Sequence, residues 1–135
     1  MTAPRYMLDM NIVSDLIRNP AGKAASRLRT IGDAGLAVSI ITAAELRFGA
    51  TKNGSPKLLS RIEAILDTLD VLPFDVPADA EYASIRVELE ASGQPIGPND
   101  LLIAAHARSL GTTIVTAKAA DFSRVRGLTV ENWLA

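Results

Sequence analysis

Leu36-Ala37-Val38-Ser39-Ile40-Ile41-Thr42-Ala43-Ala44-Glu45-Leu46 changes its hydrophobic pattern midway, and that change decides the fold. Residues 36–41 are an apolar, partly β-branched run with the look of an interior strand. Thr42 then begins a helix that carries Glu45, Leu46 and Phe48 and is broken by Asn53-Gly54-Ser55-Pro56. Parallel strands are covered by helices on both faces, so they read as continuous apolar runs rather than alternating ones. Residues 113–115 read the same way within an expected strand over 112–115. Upstream, residues 5–8 form a short buried strand and residues 11–18 a helix stopped by Asn19-Pro20. A second helix is expected from Gly22 to about Ile31, followed by the turn Gly32-Asp33-Ala34-Gly35. Downstream, Leu58, Leu59, Ile62, Ile65, Leu66 and Leu69 recur at helical spacing and complete a helical hairpin with the preceding helix. Residues 70–74 give a third strand, 77–91 a long helix, and 99–110 an almost wholly apolar helix stopped by Gly111. A turn or short helix over 121–126 and an edge strand over 128–130 close the pattern. Strands alternating with helices predict a three-layer α/β fold, a central parallel sheet flanked by helices, with residues 1–135 as one domain.

Composition narrows the chemistry. Hydrophobic residues make up 48% of the chain and charged residues 21%, which argues against disorder and for a real core. No apolar run approaches the ~20 residues of a membrane span. Met1-Thr2-Ala3-Pro4-Arg5 has no secretory signal character, so a cytoplasmic protein is expected. Cysteine is absent, which excludes disulfides, thiolate nucleophiles and zinc-thiolate sites, and the single His106 excludes multi-histidine metal sites. A net charge of −1 neither points to nucleic acid nor excludes it, because a metal cluster can supply local positive potential.

Four acids stand where strand pattern meets helix pattern: Asp9, Glu45, Asp100 and Asp121. In a parallel sheet three of them follow strand C-termini, and Asp100 opens the helix that feeds the next strand. All four can then meet at the edge where open α/β sheets place their ligands. Two carboxylates ~4 Å apart at an effective dielectric near 20 repel by about 4 kcal/mol. Such a cluster needs cations. Each acid also has an ordinary reading. Asp9 can cap the following helix, Thr42 and Glu45 match a capping box, and Asp100 and Asp121 sit in first turns favoured by the helix dipole. Those readings are independent of one another, whereas a site predicts a shared location with polar neighbours, and Asn11, Ser39 and Thr116 stand beside these strand ends. Oxygen-only ligands favour Mg2+ or Mn2+, and such ions suit phosphodiester hydrolysis. His106 reads as a structural residue and Trp133 as a C-terminal core plug.

At these residues the chain resembles the PIN-domain family, specifically the VapC-type ribonuclease toxins of bacterial toxin-antitoxin pairs. The resemblance is carried by residues 6–14, 39–49, 96–107 and 116–122, four blocks in the expected order, and by the ending Val130-Glu131-Asn132-Trp133. It implies an Mg2+- or Mn2+-dependent endoribonuclease that cuts RNA, a homodimer, and a cognate VapB-type antitoxin whose C-terminal segment blocks the acidic pocket. By position, Asp9, Glu45, Asp100 and Asp121 match the family's acidic set, with Asp9 and Asp100 as direct metal ligands. Asn11, Ser39 and Thr116 would orient carboxylates or water. Two positions depart from the pattern. Met10 stands where the family has Thr, which is harmless if its side chain points away from the pocket. Lys118 stands where the family has Asn. It is either a solvated loop lysine, or an ammonium that pairs with Asp121 or Asp100 and weakens a second metal position, or a holder of the scissile phosphate.

Two other functions compete with the nuclease. One is a catalytically weak PIN module that binds RNA or a protein partner. The other is a phosphotransfer or receiver domain built on Asp9, which lacks the second Asp two residues on or the adjacent acidic pair that such sites use.

Overall fold

Tyr6, Met7 and Leu8 form the central strand of a five-stranded parallel sheet. In the computed structural model, which describes residues 4–32 and 35–135, this strand β1 (Tyr6–Leu8) is hydrogen-bonded on both edges. On one side Tyr6 lies opposite Leu36 and Met7 opposite Ala37 of β2 (Leu36–Ser39). On the other, Met7 lies opposite Ile114 and Leu8 opposite Val115 of β4 (Thr113–Val115). With β3 (Asp70–Leu72) and β5 (Thr129–Glu131) at the edges, the order is β3-β2-β1-β4-β5. Asp33 and Ala34 of the expected turn, and Met1 to Ala3, lie outside the described residues.

Alternation along β1 sends successive side chains to opposite faces and so divides the core in two. Tyr6 and Leu8, with Leu36, Val38 and Val115, pack against α1 (Met10–Arg18), α2 (Lys23–Ile31), α3 (Ile40–Lys52) and α4 (Pro56–Leu66). Met7 and Ile114 face α5 (Ala78–Ala91), α6 (Pro98–Leu110) and the short α7 (Ala119–Phe122), meeting Ile85, Leu101, Ile103 and Phe122. Strands of three or four residues make few ladder bonds, each worth about 1 kcal/mol net. A fully buried Leu, Ile or Val contributes about 1.5–3 kcal/mol, so burial of both faces holds this sheet. The expected hairpin is present as α3 and α4, joined across their exposed side by a two-bond pair from Arg47 to Glu63 at 2.8 and 2.9 Å. Gly111 ends α6 with φ of +69°, the left-handed cap that glycine adopts without steric cost. Among the described residues no helix is long and apolar enough to cross a membrane.

One boundary differs from expectation in a way that matters. The strand stops at Ser39 and the helix begins at Ile40, two residues before Thr42. Ser39 is the cap, its hydroxyl accepting from the Ile41 N–H at 3.1 Å. Serine at that position satisfies an orphan donor, and this local bond overrides the β-branched preference of Ile40-Ile41. Thr42 is therefore fully buried inside the helix and the capping box with Glu45 is not formed.

Candidate active site

The sheet order creates a switch point between β1 and β4, where successive connections leave in opposite directions, and ligand crevices of open α/β sheets lie at such points. Asp9 follows β1 directly and Thr116 follows β4 directly. These residues, 107 positions apart, touch: the buried Thr116 hydroxyl donates to Asp9 Oδ2 at 2.8 Å. Asn11 Nδ2 donates to the same oxygen at 3.2 Å, and the Met10 N–H donates to Asp9 Oδ1 at 2.8 Å. Asp9 thus caps α1 and is held in one orientation by side chains from two elements. The ordinary reading and the site reading coexist in one carboxylate that is 4% exposed.

The loop after β4 is fixed by the same groups. The Ala117 N–H donates to Asn11 Oδ1 at 2.9 Å and the Lys118 N–H donates to Thr116 Oγ1 at 2.9 Å. From that anchored backbone the Lys118 ammonium reaches Asp100 Oδ2 at 3.3 Å. Asp100 stands in the first turn of α6. Burial pushes its carboxyl above the usual range; Lys118 pulls it down again in part, while the charges of Asp9 and Asp121 add to the rise. For Lys118, partial burial opposes the charge, but the hydrogen bond to Asp100 and the fields of Asp100, Asp9 and Asp121 outweigh it and raise the ammonium's pKa. Asp9 and Asp121 are thus near enough for their charges to be felt at Asp100.

Asp121 lies in α7, anchored by the fully buried Phe122, and pairs loosely with Arg124 at 3.7 Å. Glu45 is one step removed: its Oε2 accepts from Asn99 Nδ2 at 3.0 Å, so the residue next to Asp100 carries the link to Glu45. Sequence reading assigned no role to Asn99 or Arg124. The available signals were adjacency to Asp100 and the i,i+3 spacing from Asp121.

Ser39 departs from its expected role. Its hydroxyl serves Ile41 and His106, whose Nδ1 lies 2.7 Å away, so it ties α3 to α6 instead of orienting a carboxylate. His106 is buried beside the edge of Phe74, and burial pushes its imidazole below the usual value against a hydrogen bond to the Pro73 carbonyl. Its side-chain partner Ser39 is 67 positions away in sequence. Trp133 does plug the core, edge-on to Tyr6 with centroids 5.4 Å apart. Met10, 36% exposed, lines with Glu45, Ser14, Arg18 and Leu58 a groove of about 250 Å3 between α1 and the helical hairpin.

The donors here are oxygens alone, the chemistry of a hard divalent cation. Among the described residues, no three acidic or histidine side chains are close enough to form a complete cage. Mg2+ is commonly bound through one or two carboxylates with water and phosphate oxygens completing the shell, so the donor set fits such an ion in that open form.

Comparison with known proteins agrees with this architecture. The family model for the PIN domain matches residues 6–128. The chain is 38% identical to the tRNA(fMet)-specific endonuclease VapC of Shigella flexneri over 130 residues, 96% of this chain and 98% of that protein. It is 40% identical to ribonuclease VapC2 of Haemophilus influenzae over 132 residues, again 96% and 98%. Among solved structures, DNA-bound VapBC from Salmonella typhimurium superimposes with a TM-score of 0.90 at 34% identity, covering 96% of this chain and 98% of that one. VapBC2 from Rickettsia felis, bound to a promoter DNA fragment, gives 0.87 at 35% identity, covering 95% and 98%.

Proposed function

Because this chain belongs to the PIN-domain family, among its VapC-type members, we propose that it is a toxin endoribonuclease that hydrolyses RNA phosphodiester bonds with Mg2+ or Mn2+ and is neutralised by a VapB-type antitoxin. The observation that carries the reading is geometric: at the β1/β4 switch point Asp9 is held by Thr116 and Asn11, and the loop that follows Thr116 carries Lys118 onto Asp100. That arrangement calls for positive charge from ion and substrate.

Asp9 and Asp100 are the residues we assign as metal ligands, with Asp121 and Glu45 completing the acidic rim through water. A bound divalent ion supplies a lowered pKa for its water and stabilises the oxygens that attack and leave phosphorus. Thr116 and Asn11 hold Asp9 so that one carboxylate oxygen keeps a fixed direction. Asn99 holds Glu45 toward α6. The groove beside Met10 and Glu45 suits an extended antitoxin segment, apolar along α1 and the hairpin and ending at the acids. The working unit is read as a homodimer of one-domain chains acting in the cytoplasm.

Initiator tRNA is the first substrate to test, since relatives at 38% and 35% identity bear that specificity in their names. Cleavage by the purified chain should require added Mg2+ or Mn2+. It should disappear in Asp9→Asn and Asp100→Asn while circular dichroism stays native. Undiminished cutting in chelator, or by either variant, refutes the assignment. A second reading, an RNA- or partner-binding module with little turnover, draws on the Lys118–Asp100 pair. RNA binding without cleavage across a range of divalent ions would favour it.

A further inference from the structure

The position of Lys118 combines a pinned backbone with a movable side chain. Its own N–H is held by Thr116 and the preceding N–H by Asn11, each at 2.9 Å, so the Cα cannot drift from the acids. The side chain beyond it is about half exposed (51%), and its ammonium sits on the mostly buried carboxylate of Asp100 (15%). At 3.3 Å the contact is longer than a tight charge-assisted bond of about 2.7–2.9 Å. It is therefore a bond that can be exchanged. Arg124, the other cation nearby, is directed to Asp121.

We propose that Lys118 is a resident counter-ion that occupies Asp100 in the metal-free protein and competes with the divalent ion for it, so that this one side chain sets the metal affinity of the site. The proposal rests on the metal-dependent reading above. Asp100 Oδ2 cannot give its full charge to an ammonium and a divalent ion together, and an ion bound there repels the ammonium at short range. Metal binding must therefore break the pair and turn the lysine outward. Exposed pairs are weak, which bounds the effect: removing the ammonium should tighten binding by about two- to fivefold. The ammonium also sits beside the mostly buried Asp100 carboxylate when no ion is present, so its loss should weaken the metal-free fold.

Calorimetric titration with Mn2+ on the full chain tests this, comparing the parent with Lys118→Met and Lys118→Arg. Lys118→Met should bind Mn2+ about two- to fivefold more tightly, with a gap that narrows as salt rises. Lys118→Arg, which keeps the charge, should stay near the parent. Thermal melting gives a readout independent of both binding heat and activity. In chelator Lys118→Met should melt below the parent, and saturating Mn2+ should raise its midpoint by more than it raises the parent's. Equal or weaker Mn2+ affinity in Lys118→Met overturns the proposal, as does failure of either protein to bind Mn2+. Tight Mn2+ binding with the expected difference but no RNA cleavage would instead overturn the ribonuclease reading and leave the role of Lys118 standing.

Discussion

Replacing Thr116 with valine removes one hydroxyl and little volume, so it isolates the bond that joins the two central strands at the site. The side chain is fully buried and its Oγ1 both donates to Asp9 and accepts from the Lys118 N–H. A hydrogen bond to a charged partner is worth about 1.5–3 kcal/mol, and the Lys118 N–H, near the surface, recovers water. The expected loss is thus about 2 kcal/mol. An unfolding entropy of about 2.1 cal/mol/K per residue over the 135 residues gives about 0.28 kcal/mol/K. Two kilocalories then correspond to a midpoint about 7 °C lower. Urea unfolding and calorimetry in chelator at neutral pH measure this directly. Asp9 would also lose the shorter of the two side-chain bonds that fix its direction, and loss of a residue that orients a metal ligand typically costs 10–100-fold in activity or affinity, so RNA cleavage should fall by about that much. Thr116→Ser, which keeps the hydroxyl, should retain cleavage. A valine variant within about 0.5 kcal/mol of the parent, or a serine variant as inactive as the valine one, would show that this bond does not organise Asp9.

His106→Gln should flatten the pH dependence of stability below neutrality. The folded imidazole sits below its unfolded value of about 6.5, so the unfolded chain binds more protons in that window; stability is present above it and is lost as pH falls toward the folded value. Matching slopes for parent and variant between pH 5 and 7 in urea titrations would contradict this. Asp100→Asn should melt no lower than the parent in chelator at pH 7. A carboxyl raised above its unfolded value contributes stability below that value and forfeits it as pH rises through the folded one, and asparagine removes the forfeit. A clear drop in midpoint would mean the Lys118 pair outweighs burial. Phe122→Ala should cost about 3–5 kcal/mol by chemical denaturation, because α7 has four residues and one fully buried anchor. A loss under about 1 kcal/mol would show that α7 is held by something else.

The strands were legible because a parallel sheet covered on both faces demands unbroken apolar stretches, and Leu36 to Val38 and Ile114-Val115 supply them. Asp9 and Thr116 stand out for the same reason, as polar residues at the ends of such stretches. The start of α3 was misplaced because Ile40 and Ile41 have strand propensity, and a single serine hydroxyl capping the Ile41 N–H decides against it. Ser39 stands out as a polar residue at a strand end, yet its partner is His106, 67 positions away on another helix. No local pattern encodes that pairing.

What the chain determined by itself is the set of local states: which stretches are apolar strands, roughly where helices follow them, and that Asp9 and Thr116 stand at the ends of β1 and β4. These follow from side-chain periodicity and capping, which act over a few residues. What only the tertiary structure decided is who meets whom. The order β3-β2-β1-β4-β5 puts β1 beside β4, so Asp9 receives the Thr116 hydroxyl across 107 positions and Lys118 settles on Asp100 rather than Asp121. Contacts of that kind depend on how two covered faces are buried together, a property of the whole fold.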